Sequence, residues 1–188
     1  MLKFALLALA LFAFPLNAQA ASAQKWTVDP EASSIQFSGK HAGNEFTGSF
    51  KTWTAAISFD PENLEASVVD VTIDMGSAST GNKTYDGSLP SAEWLDSGAF
   101  PTATFAGTTF RQTGDTTYEV DGVLKIKGIE IPLTFPFTLD IKDDIAELDA
   151  HLTLDRIALN VGKKADSNGE WVTKDIGVTL TVKASKAK

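Results

Sequence analysis

Residues able to do chemistry are few in this chain, and they stand far apart. His41 and His151 are its two histidines, and neither sits in an H-E-x-x-H frame or beside carboxylates at a ligating spacing. His151 falls on the polar side of an alternating run, which reads as an ordinary exposed side chain. His41 adjoins a glycine turn at a strand end, a place from which an imidazole could touch the headgroup of a ligand. No Gly-x-Ser-x-Gly elbow marks a nucleophile. Asp143-Asp144, and Asp149 with Asp155, look like paired acids, but acids at alternating strand positions make a solvated face more often than a glycosidase pair. Gly81-Asn82-Lys83-Thr84 echoes part of a phosphate loop without its full frame and reads as a turn. Cysteine is absent, so thiolate metal sites and disulfides are both excluded. The residues require no metal or cofactor and assemble no catalytic constellation.

The elements that carry these residues are strands. From Ile129 to Ile141 every second residue is apolar: Ile129, Ile131, Leu133, Phe135, Phe137, Leu139 and Ile141. That period of two means one long strand with an apolar and a polar face. The same alternation recurs around Trp26, Ile35-Phe37, Phe46-Phe50, Ala55-Phe59, Val69-Met75, Ala103-Phe105, Val120-Ile126, Leu148-Leu154 and Ile176-Ala184. Lys142-Asp143-Asp144 reads as a hairpin, and Ser167-Asn168-Gly169 carries a strong turn signal. Antiparallel strands with short links make a meander, which removes its exposed edges best by closing. Alternation alone leaves barrel and sandwich both open. Pro132 and Pro136 each lack a donor, which predicts a bulge, a pairing gap or a seam in their strand. Residues 77–100 break the rhythm, and Pro90 to Leu95 predicts a short helix within a long loop.

The ends and the charge narrow the class further. Lys3, the apolar run Phe4–Phe14 and the small residues Ala18 and Ala20 predict an export signal over residues 1–20, with cleavage after Ala20 or alternatively after Ala23. The apolar run is shorter than the roughly 20 residues needed to span a bilayer. Residues 21–188 then form one domain, and export without disulfides points to a bacterial periplasm, with full secretion as the alternative. A net charge of −8 argues against nucleic acid as a partner. The positive signal is aromatic: 12 Phe and 4 Trp, many on the predicted inward faces. An eight-stranded barrel has just enough interior for packed side chains or one small ligand. A filled interior and a tunnel are both compatible with the pattern.

Several ordered motifs resemble the YceI-like family of exported lipid-binding proteins. They run from Trp26-Thr27-Val28-Asp29-Pro30 and Ser33-Ser34-Ile35-Gln36-Phe37 through His41 to Phe46-Thr47-Gly48-Ser49-Phe50. Tyr85-Asp86-Gly87-Ser88-Leu89, Ala99-Phe100-Pro101-Thr102-Ala103-Thr104-Phe105 and Gly122 to Gly128 follow, then Ile131-Pro132-Leu133. The resemblance implies an all-β, extended lipocalin-like antiparallel barrel of about eight strands with a short helix in the 77–100 region. It implies a polyisoprenoid, an isoprenoid quinone or another long-chain amphiphile as ligand. The family often has Asp-x-His-Leu where this chain has Asp86-Gly87-Ser88-Leu89, so this loop offers no imidazole to a headgroup. The stretch Gly81 to Gly87 resembles a branch found alongside membrane cytochromes of the b561 type, which implies such a partner.

The reading is therefore a periplasmic carrier or sequestering protein for an isoprenoid lipid or quinone. Phe37, Phe50, Trp53, Phe59, Phe105, Phe135 and Phe137 are the candidate tunnel-lining residues, and His41 and Asp86 the candidate mouth residues. An accessory module for a b561-type cytochrome is the alternative, and an exported hydrolase lacks a nucleophile to support it. Monomer and homodimer both remain open.

Overall fold

Alternating side chains become strands because each second residue must find the same apolar surroundings. The computed structural model describes residues 23–188; the export signal expected at 1–20 lies outside them. The strands are β1 (Lys25–Val28), β2 (Ser34–His41), β3 (Asn44–Phe50), β4 (Trp53–Ser58), β5 (Val68–Asp74), β6 (Ala78–Ser79), β7 (Thr102–Gln112), β8 (Thr117–Ile126), β9 (Ile129–Lys142), β10 (Ile145–Asp155) and β11 (Asp175–Lys186). One helix longer than a single turn is described, α1 (Lys83–Ser88). On β9 the apolar set is buried or half-buried, while Glu130, Pro132, Thr134, Pro136, Thr138 and Asp140 are exposed.

The sheet closes. Strands β4, β5, β7, β8, β9, β10 and β11 are successive antiparallel neighbours, and β1 joins β4 to β11. This ring is a closed eight-stranded antiparallel barrel, which resolves the choice between barrel and sandwich. The edge of β11 facing away from β10 is divided between two partners. Gly177–Thr181 pairs with Ser38–Ser34 of β2, and Ala184–Lys186 pairs with Val28–Trp26 of β1. Strands β2, β3 and β6 therefore leave the ring as a flap. The chain turns between β1 and β2 at Asp29-Pro30, where the Asp29 carboxylate accepts from the N–H groups of Glu31 and Ala32.

The prolines mark where the ring splays. Pro132 and Pro136 face Val123 and Glu119 of β8 in a ladder that starts at the Ile126–Ile129 pair. Counting out from that two-residue hairpin, both occupy non-hydrogen-bonded positions, so their missing N–H groups face the other edge. There β10 pairs only with Phe137–Lys142, leaving residues 129–136 unpaired on that side. The gap between β9 and the far half of β10 is filled by residues 156–162, whose Leu159 is 2% exposed within the main core.

Two loop expectations shift. The helix lies at Lys83–Ser88, not at Pro90–Leu95, because the Asn82 side chain caps it by accepting from Thr84 and Tyr85 N–H. The segment after Pro90 forms tight turns instead, with Asp96 at φ 50° and its N–H donating to Ser91 O. Asn168-Gly169 does turn, with Gly169 at φ 74°, but inside the long connection from Asp155 to Asp175 and not as a hairpin joint. Asp143-Asp144 is the two-residue hairpin that the spacing predicts, closing the Lys142–Ile145 pair.

Candidate functional site

Closing the meander turns its apolar faces toward one another, and they do not meet completely. A cavity of about 220 Å³ remains inside the barrel, lined by aliphatic and aromatic side chains alone. Phe50, Trp53, Phe59, Phe105, Phe135 and Phe137 all line it. Phe37 does not: its ring folds over Gly48, where a Cβ would collide with it, and lies 5.3 Å from Phe50 and 6.5 Å from Phe46. Ile35, two residues earlier on the same strand and of the same parity, does line the slot, so the lining ends before Phe37, whose ring packs against Phe46 and Phe50.

Much of the lining is aliphatic, including Ile57, Val71, Ile73, Leu133, Leu148 and Leu152. The aromatic reading of the sequence passed over these, although their parity places them on the same faces. One end of the interior is solid. Phe59 meets Phe110, Tyr118 and Phe137 edge-on, and Tyr118 stacks on Phe137 at 5.5 Å. The Trp26 indole N–H donates to Phe59 O at 2.9 Å, so this wall presents no unpaired donor to the slot. The interior is thus part core and part void. An engineered apolar cavity of about 150 Å³ stays dry and accepts benzene, whereas drug-sized ligands occupy roughly 300–1,000 Å³. The slot falls between, suited to a short hydrocarbon segment.

The two mouth candidates meet in the flap. His41 Nδ1 lies 3.0 Å from the Tyr85 hydroxyl, and the two rings pack edge-on. Asp86, next to that tyrosine, accepts from Thr80 N–H at 2.6 Å, Thr80 Oγ1 at 2.7 Å and Ser79 Oγ at 2.9 Å. The Thr80 backbone bond leads the effects that hold its carboxyl below the usual range. Its acceptor capacity serves the turn between β6 and α1. Neither residue lines the slot; Phe50, Phe37, Phe46 and Tyr85 form an aromatic row from the slot to His41.

Two cationic side chains hold the splayed end shut. Lys127, at φ 48° in the β8–β9 turn, donates from Nζ to the carbonyls of Ala92, Glu93, Trp94 and Asn160. Burial pushes its ammonium below the ordinary lysine value, against the pull of Asp96 and Glu93. Arg156 is 3% exposed. It donates to Thr173 O, Val161 O and Val172 O and pairs with Asp166 at 2.6 Å, with its guanidinium over the Trp94 ring. Burial alone would raise the Asp166 carboxyl, but N–H bonds from Val172, Trp171 and Glu170, with the Arg156 charge, hold it low. Pattern reading missed both clasps, because nothing local distinguishes them from solvated charges. Among the described residues no group of three or more His, Cys, Asp or Glu could hold a metal ion. His151 is exposed, with Nδ1 3.1 Å from Thr179 Oγ1.

The family model described as YceI-like domain matches residues 26–184. A UPF0312 protein of Pseudomonas savastanoi pv. phaseolicola is 34% identical over 143 residues, 74% of this chain and 74% of that protein. A UPF0312 protein of Pectobacterium atrosepticum is 35% identical over 145 residues, 76% of this chain and 73% of the relative. Among solved structures, Burkholderia cenocepacia BcnA superposes with a TM-score of 0.81 at 28% identity, covering 85% of this chain and 100% of that one. A polyisoprenoid binding domain from Saccharophagus degradans, implicated in plant cell wall breakdown, superposes with a TM-score of 0.70 at 12% identity, covering 87% and 99%. That last likeness shows a shared fold.

Proposed function

Because this chain belongs to the YceI-like family, matched across residues 26–184, we propose that it is a periplasmic binding protein, a carrier or sequestering protein for an isoprenoid lipid or quinone. The observation that carries the proposal is the slot of about 220 Å³ without a polar lining residue. Such a wall has nothing with which to orient or activate a reacting group, but it replaces water around hydrocarbon at no hydrogen-bonding cost. Each buried methylene contributes about 0.8 kcal/mol. A segment of roughly a dozen carbons gains about 10 kcal/mol gross, from which association and ordering remove several. The solved polyisoprenoid binding domain with this fold supports the choice of ligand class, and the leader read at residues 1–20 supports the compartment.

The test is native mass spectrometry of the protein exported and purified from its own host. A bound mass of isoprenoid composition, shed on gas-phase activation, is the expected result. Bare chain from lipid-replete cells, with no uptake of added farnesol, overturns the proposal.

A further inference from the structure

The barrel wall has a second interruption, away from the splay. Strand β4 meets β1 only at Ile57 and Ser58, so the edge from Trp53 to Ala56 has no strand beside it. Across this break lie the Asp29–Ser34 turn and the corner where β3 ends and β4 begins. The window between them is a cleft of about 690 Å³. Trp26, Phe50, Trp53 and Ala55 line both the cleft and the apolar slot. These four side chains form a wall common to the two spaces.

The chemistry changes across that shared wall. Among the described residues Lys51 is the only charged one lining either space, in a chain with 24 acidic and 16 basic residues. Its backbone is pinned, its N–H donating to Ser77 O at 3.2 Å and that of Thr52 to Ser77 Oγ at 3.1 Å. Its ammonium has no ion pair or hydrogen bond among the described residues, unlike those of Lys40, Lys125, Lys142, Lys174, Lys183 and Lys186. The hydroxyls of Ser34, Ser49, Thr52 and Thr54 around it are likewise uncommitted, whereas Ser33 is engaged with Lys183. A rigid corner therefore presents free donors and one cation, with no lining carboxylate, at the edge of an oily slot.

We infer that this window is the ligand portal and headgroup subsite, and that Lys51 with the neighbouring hydroxyls selects amphiphiles with an anionic oxygen headgroup. This rests on the carrier reading and adds to it a route and a headgroup. Lys51 is exposed, so its replacement spares the fold.

The experiment titrates the full exported protein with dodecyl phosphate and with 1-dodecanol, which share a tail, following tryptophan fluorescence. The phosphate should bind about tenfold more tightly. Lys51→Gln should bring the two within twofold of each other, and Lys51→Glu should reverse the order, each read as the ratio of the two affinities within one variant. Lys163→Gln, outside the cleft, should keep the preference. Inorganic phosphate should not displace 1-dodecanol; displacement would mean a free-anion site and overturn the inference. Equal binding of both heads by the native chain, or a preference that survives Lys51→Glu, overturns the portal and leaves the carrier standing. If neither amphiphile binds, both fall.

Discussion

Filling the slot from within separates a binding cavity from a packed core. Ala55 lines the slot, opposite Val71 of β5, which in turn faces Phe105 of β7. Ala55→Phe adds a phenyl group at mid-barrel. An apolar cavity of about 150 Å³ holds one benzene, so the new ring takes about two-thirds of the 220 Å³ available. Six or so tail carbons lose their place, which at about 0.8 kcal/mol each removes about 5 kcal/mol of gross burial. Some is recovered as the tail shifts, and farnesol affinity should fall at least 100-fold by fluorescence titration. Stability should respond in the opposite way. Overpacking a filled core costs about 1–3 kcal/mol, but a ring entering a void gains contacts, so the ligand-free urea midpoint should hold or rise. Unchanged farnesol binding refutes the reasoning. So does a loss of about 2 kcal/mol or more in stability, which would mean the space was not there to fill.

Other perturbations address the frame. Asp166→Ala strips the buried Arg156 of its counter-ion and three N–H groups of their acceptor; breaking such a pair costs about 3–5 kcal/mol, and a urea midpoint shift worth under 1 kcal/mol contradicts the clasp. The Asp166 carboxyl is held below its ordinary value in the folded chain. Its contribution is therefore present above the unfolded value of about 3.9 and lost as pH falls through the folded one. The native protein should lose stability below about pH 4, and Asp166→Asn should lose less over that range; parallel acid profiles refute the assignment. Lys127→Met removes four bonds to carbonyls and should cost about 2–3 kcal/mol, with faster proteolysis between residues 89 and 100 as its local sign. Gly122→Ala drives a Cβ into Ala106 O and the Phe105 ring, so it should destabilise by about 1–3 kcal/mol and weaken farnesol binding together.

The strands were legible because burial on one face imposes a period of two, and β9 shows that period over its whole length. The hairpin at Asp143-Asp144 was equally plain, since local turn chemistry decides it. Closure was not, because it depends on β1 reaching both β4 and β11, pairings that no local pattern encodes. The same limit explains Phe37: Ile35 on its own strand reaches the slot, and where along β2 the lining stops is set by tertiary packing, not by parity. Pro132 and Pro136 announced an irregularity, yet which edge opens follows from register. The helix moved to Lys83 because an asparagine cap satisfies two backbone donors there, a stronger local signal than a proline followed by an acid. Lys127 and Arg156 were invisible as clasps because their acceptors, apart from the Asp166 carboxylate, are backbone carbonyls up to 35 residues away, and carbonyls leave no mark in a sequence.

Isotope-filtered NMR on the native chain with farnesol probes the slot most directly. Nuclear Overhauser contacts should run from the tail protons to the methyls of Ile57, Val71, Leu148 and Leu152, side chains that line the cavity from three strands, β4, β5 and β10. A tail that contacts only exposed side chains, or none, would contradict the account.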